Sequence, residues 1–302
     1  MTATMVLRAL AVLCLLLGGP VFAAVLEAGP GLAFPTLSAA VAAAKDGDTI
    51  RIAPGVYEDC ATIRQNNLTL EGPGAELTRK TCGGKAILVV TGKNVEIRGL
   101  TLSYAKVPDR NGAGVRAESG PLLLENIRFL NNENGLLTAN GPDIEVRVKN
   151  ATFIGNGECR PVCAHGIYAG HIASLIVESS NFLAQREGHH IKSRANRTEV
   201  TGSKIDDGFG GTASYLIDIP NGGTVRIENN RLRKGPSSSN STAIALGAET
   251  AANPTQEVAV RDNVFVNDSP RLATFVKLFS GASPTLTGNQ LTGAVTPFAT
   301  AR

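Results

Sequence analysis

Val95-Glu96-Ile97-Arg98-Gly99 reads as apolar, any, apolar, any, turn-former, and the same phrase returns along the chain. It recurs at Leu122–Asn126, Val146–Asn150, Leu175–Ser179, Thr198–Gly202, Val225–Asn229 and Val258–Asp262, and closes with Thr285, Thr287 and Gly288. The turn positions 99, 126, 150, 179, 202, 229, 262 and 288 step by 27, 24, 29, 23, 27, 33 and 26 residues. A period of that size marks a solenoid with one coil per repeat. A single coil cannot bury its apolar face, and stacking joins the faces into one core. Asn and Gly at the turns suit a left-handed backbone and side-chain bonding between coils. Two-residue Asn-Gly hairpin turns, which a sandwich or barrel would need, are not the rule here.

Upstream of the repeats, Leu37, Ala40, Val41 and Ala44 recur at helical spacing, and Asp46-Gly47-Asp48 ends the pattern. Thr49-Ile50-Arg51-Ile52 then alternates as a strand into Pro54-Gly55-Val56-Tyr57. This run of Gly47-Asp48-Thr49-Ile50 followed by Pro54-Gly55-Val56-Tyr57 resembles the pectin-lyase-like, right-handed parallel β-helix superfamily. The resemblance implies an all-β, single-stranded right-handed parallel β-helix with a short N-terminal capping helix. It implies little about chemistry.

Residues 1–23 read as a secretory leader: Arg8, an apolar run Ala9–Phe22, and small residues ending at Ala23. Residues 24–302 are then one β-helix domain, secreted or periplasmic and monomeric, with no stable membrane insertion. The net charge of the whole chain is +3, and losing Arg8 leaves +2. That balance carries no basic stripe and argues against nucleic acid as a partner. Four cysteines remain after Cys14 leaves, which in an exported chain implies disulfides. Cys60 and Cys82 are 22 residues apart, about one coil, placed to bridge neighbouring turns near the N-terminal end. Cys159 and Cys163 close a small loop, and a metal-binding pair with His165 is the competing reading.

All four histidines fall between positions 165 and 190 of the 302-residue chain, beside the run Gly188-His189-His190-Ile191-Lys192-Ser193-Arg194. Scattered surface histidines would not cluster this way. Aligning a second strand column by its apolar centres (Val115, Leu137, Ile167, Ile191, Ile217, Ile244) predicts an outward column of Arg116, Thr138, Tyr168, Lys192, Asp218 and Ala245. With coils about 4.8 Å apart, Tyr168, Lys192 and Asp218 lie side by side. His190 then sits next to Lys192, Arg194 lies just beyond, and His189 faces the core or a turn. A one-residue slip would turn them all inward. Long loops around 155–164 and 232–241 wall a groove.

Such a groove suits an acidic polysaccharide. β-Elimination needs a cation to neutralise the uronate carboxylate, a base for the C5 proton and an acid for the leaving oxygen. Lys192, His190 and Tyr168 are the base and acid candidates. Arg194 and Arg116 are the neutralisers, and Asp218 orients Lys192 or holds calcium. His165 and His171 complete the binding set. Ile191-Lys192-Ser193 with Asn196 resembles the lysine-bearing coil of chondroitinase B and its alginate-lyase relatives, which implies a role for Lys192 in proton abstraction. That family's arginine on the next coil would fall near Asp218 here, and Arg194 would have to substitute. The same stretch is similar to the His and Ser-Arg run of periplasmic mannuronan C5-epimerases. The reading is therefore a lyase of an acidic polysaccharide, with a C5-epimerase and a non-catalytic binding or adhesion β-helix as alternatives. No metal ligand set is assigned, and calcium is the one cofactor entertained. A methylesterase would need two facing aspartates in a Gln-framed site. A hydrolase would need a carboxylate pair, for which Asp207 with Asp218 is the candidate. The absence of Trp and a count of four Tyr leave a pure binder short of stacking platforms.

Overall fold

The computed structural model describes residues 23–160 and 162–301. The expected leader, 1–23, lies outside the described residues but for Ala23. From Thr49 the chain winds through ten coils of three short strands each. Three parallel sheets result. The first runs from Val25–Ala28 to Thr285–Thr287, the second from Gly55–Tyr57 to Gln290–Thr292, and the third from Ala61–Ile63 to Val295–Thr300. The five-residue phrase supplies the first sheet, and its apolar positions stack in register, Val95 on Leu122 on Val146 on Leu175.

All eight turn residues named from the repeat have positive φ, from 48° at Ser179 to 75° at Gly99. The left-handed turn is what redirects the chain from the first sheet into the second. The ladder of side-chain bonds forms one residue later than expected. Asn230 Nδ2 donates to Asn263 Oδ1 and Asn263 Nδ2 to Asn289 Oδ1, both at 3.0 Å. That neighbouring position points inward, where the coil corner leaves backbone carbonyls needing donors.

Inside, Phe129, Phe153 and Phe182 stack at 4.5 Å between centroids, one per coil. Outside, one column of the first sheet alternates in charge: Glu71, Arg98, Glu125, Lys149, Glu178. Opposite charges on adjacent strands favour this register. The helix Leu37–Ala43, with Thr36 accepting from the Ala39 amide, packs Leu37, Ala40 and Val41 into the core at the first turn. Cys60–Cys82 and Cys159–Cys163 are both bonded, with Cα separations of 5.6 and 3.9 Å. A disulfide in the second pair takes the place of the metal reading with His165.

Candidate functional site

The third sheet carries the candidate site residues. Its outward column reads Arg116, Leu137, Tyr168, Lys192, Asp218, Ala245. Tyr168, Lys192 and Asp218 are thus neighbours on consecutive coils. One position differs from the expectation: Val115 pairs with Leu136, so Leu137 and not Thr138 stands outward. Two adjacent leucines gave alternation nothing to decide between.

The two adjacent histidines are exchanged relative to the sequence reading. His190 is buried and His189 lies in the outward layer. The strand starts only at Ile191, and the chain bends before it, so alternation from Lys192 does not extend back to His190. Gly188 makes the bend possible. Its φ is +54°, and a Cβ there would stand 2.2 Å from the Ala164 carbonyl oxygen. His190 is therefore withdrawn from the catalytic set. Its Nε2 lies 2.8 Å from Asp207 Oδ1, and Asp207 Oδ2 accepts from the Gly235 amide (3.1 Å) and the Ser238 hydroxyl, with Lys234 Nζ at 3.5 Å. Lys234, fully buried, also donates to the Ser214 carbonyl at 2.5 Å. Asp207 has no solvent access, which removes it from any carboxylate pair with Asp218.

His189 stacks between His165 (4.8 Å) and Tyr215 (4.9 Å), and Tyr168 meets His165 edge-on at 5.1 Å. The ring tautomers follow from the backbone. The His189 amide donates to His165 Nδ1 at 2.9 Å, and the Tyr215 amide to His189 Nδ1 at 3.1 Å. With Nδ1 accepting, each neutral ring carries its proton on Nε2. Burial, then Lys192, pushes the His189 imidazole down to about 3, and burial with His189 holds His165 well below the usual range. His189 is thus a neutral donor, its Nε2 3.5 Å from Asp218 Oδ2.

Lys192 Nζ sits 3.2 Å from Asp218 Oδ2 and 2.8 Å from Glu249 Oε1. Burial pushes the Asp218 carboxyl up to about 6, against the pull of Lys192. Its Oδ1 is buried without a hydrogen-bond partner. Arg194 donates from Nε (2.9 Å) and Nη2 (2.7 Å) to Glu249 Oε2 and from Nη1 to the Tyr168 hydroxyl, with its Cζ 5.1 Å from the Tyr168 ring centroid. Burial raises the Glu249 carboxyl, but hydrogen bonds from Lys192 and Arg194 outweigh it and leave the group lowered.

Beside this strip lies an open cleft of about 330 Å³, lined by Asn111, Arg116, Asn140, Tyr168, His171 and Arg194. It joins both expected neutralisers to Tyr168 and His171. Calcium ligation by Asp218 is not supported, since the lysine ammonium faces its oxygen. Among the described residues no three His, Cys, Asp or Glu side chains gather as a metal set.

Two members of the site escape the sequence reading. Tyr215 was legible, since positions 165, 189 and 215 each lie two residues before an aligned isoleucine. Glu249 was not, because it stands on a loop after the strand Thr242–Leu246. The long 229–262 step is shared by that loop and the one at 235–241.

Residues 140–299 match the family model described as right handed beta helix region. No curated protein matches the chain by sequence. Among solved structures the chain is similar to pectate lyase Pel9A, at 13% identity and a TM-score of 0.53, covering 92% of this chain and 79% of that one. It is also similar to the pectin methylesterase from Aspergillus niger (13%, TM-score 0.48, 89% and 85% covered). A third is the Streptococcus pneumoniae surface protein and adhesin PfbA (11%, TM-score 0.45, 83% and 91%). At these identities the likeness is one of fold. Among the described residues no helix is long and apolar enough to cross a membrane.

Proposed function

We propose, for a chain that belongs to the right handed beta helix region family, that the outward strip of the third sheet abstracts the C5 proton of a uronate in an acidic polysaccharide. The observation that carries this reading is the Lys192–Asp218 pair, 3.2 Å apart, flanked on the same strip by Tyr168 and Arg194. Asp218 and Glu249 hold the Lys192 Nζ in the strip, and in its amine form that nitrogen is the base. The amine removes the C5 proton; the C5–H electron pair becomes the C4–C5 double bond; the C4–O bond breaks. Tyr168, whose oxygen accepts from Arg194, gives its hydroxyl proton to the leaving oxygen. Arg116, in the adjoining cleft, binds a carboxylate of a neighbouring sugar. His189 Nε2 faces Asp218 Oδ2 at 3.5 Å, and His165 forms the wall under Tyr168.

The two disulfides fit an oxidising compartment, which supports reading residues 1–23 as a secretory leader and the protein as working outside the cytoplasm. The test is incubation with a panel of polyuronides, following the ultraviolet absorbance of unsaturated ends and the proton NMR spectrum of the polymer. Unsaturated ends identify a lyase. Inverted C5 centres without cleavage identify an epimerase. Retention on the polymer with neither signal identifies a binder and removes the proposal.

A further inference from the structure

We infer that the Arg194 guanidinium forms a carboxylate subsite which the chain fills with its own Glu249, and that a uronate carboxylate enters by displacing it. The contact has the geometry of carboxylate recognition. Arg194 presents Nε and Nη2 as a fork at 2.7–2.9 Å, and Lys192 adds a third donor at 2.8 Å. Such bidentate pairing is how arginine reads a planar anion. The two cations are fixed in the strip, with only 12% and 17% of their side chains exposed, whereas Glu249 is 40% exposed. The anion is the member free to leave.

Charge supports the exchange. Two cations face Asp218 and Glu249, and of these Asp218 is the one already seated in the wall. Removing Glu249 strands positive charge in a half-buried site, and an incoming carboxylate restores the balance. Glu249 rides on a loop held elsewhere: its amide bonds the Pro220 carbonyl at 2.9 Å, and Asn253 Nδ2 bonds the Arg194 and Ala195 carbonyls at 3.1 Å. The side chain can swing out while the loop stays anchored. The occupied fork also opens onto the cleft of Arg116 and Tyr168. Glu249 is then a built-in competitor that sets how much acidic ligand is needed.

This inference rests on the proton-transfer reading only for the identity of the ligand. Its test is calorimetric titration of the full-length protein and of Glu249→Gln with a uronate trisaccharide and its neutral methyl ester. The uronate should bind Glu249→Gln about tenfold more tightly, with no gain for the ester, and Arg194→Met should abolish the gain. In the wild-type protein, saturating uronate should leave the Glu249 amide protected from hydrogen exchange and release only its side chain, seen as a shifted carboxylate carbon resonance. Unchanged or weaker uronate binding by a folded Glu249→Gln overturns the inference, as does an unshifted resonance. If the gain appears but no polymer loses its C5 proton, the subsite stands and the reaction falls. If a polymer is turned over without any gain, the reverse holds.

Discussion

The molecule contains the same three residue types twice, on either side of one bend. His189, Asp218 and Lys192 lie in the outward layer; His190, Asp207 and Lys234 lie behind them. In the inner set each Asp207 oxygen is bonded, to His190 on one side and to Ser238 and Gly235 on the other. In the outer set Asp218 keeps an oxygen with no partner. Their carboxyls shift in opposite directions: both are opposed by burial, but the inner donors win and lower Asp207, while burial wins and raises Asp218. A fully satisfied polar cluster fixes a fold, whereas one left short keeps a perturbed carboxyl beside Lys192, the partly exposed member of its set.

The largest effect should come from breaking the inner set. Asp207→Ala strands Lys234, the Ser238 hydroxyl and a buried imidazole without their acceptor, a loss of about 3–5 kcal/mol in denaturant unfolding. An equal loss from Lys192→Met, in the outer set, would erase the contrast. Lys192→Met is instead expected to lower turnover of the polyuronide by about 10²–10⁴-fold while costing less stability than Asp207→Ala, because the raised Asp218 carboxyl can lose its charge by protonation.

The pH dependence of stability sharpens the comparison through its sign. Asp218 has a folded pKa raised from 3.8 to about 6, so its contribution is present below about 4 and is lost as pH rises through 6. Asp207 has a folded pKa lowered from 3.8, so its contribution is present above that value and is lost as pH falls through the folded pKa. Relative to wild type, Asp218→Asn should gain stability between about pH 4 and 6, whereas Asp207→Asn should fall behind as pH rises from below 3.8 to about 4 and stay behind by a constant amount above it. Unfolding midpoints across pH 3–8 read both slopes; parallel slopes would merge the two sets into one. The smallest effect belongs to Arg116→Ala, at the far end of the cleft: about a three- to tenfold rise in KM with kcat little changed. A matching fall in kcat would move Arg116 into the chemical step.

Much of this arrangement is written in the repeats. A mean period of 27 residues and a turn-former at each step specify stacked coils, because only stacking buries those alternating strands. The register Ile167–Ile191–Ile217 placed Tyr168, Lys192 and Asp218 together, as the pairings show. Alternation failed where its premise failed. At Leu136-Leu137 both residues are apolar, and at His189-His190 the backbone bends instead of running straight. Lys234 and Glu249 were beyond reach for another reason. One is a charge buried by loops whose path no period describes, and the other meets Arg194 across 55 residues of chain.

The most direct test follows the H5 resonance of a uronate oligomer by NMR in deuterated buffer, with wild type, Lys192→Met and Lys234→Met each confirmed as folded. The account predicts that H5 disappears with wild type, persists with Lys192→Met, and disappears with whatever Lys234→Met protein remains folded. A uronate that binds wild type with H5 untouched, or an H5 lost equally in the presence of Lys192→Met, would contradict it.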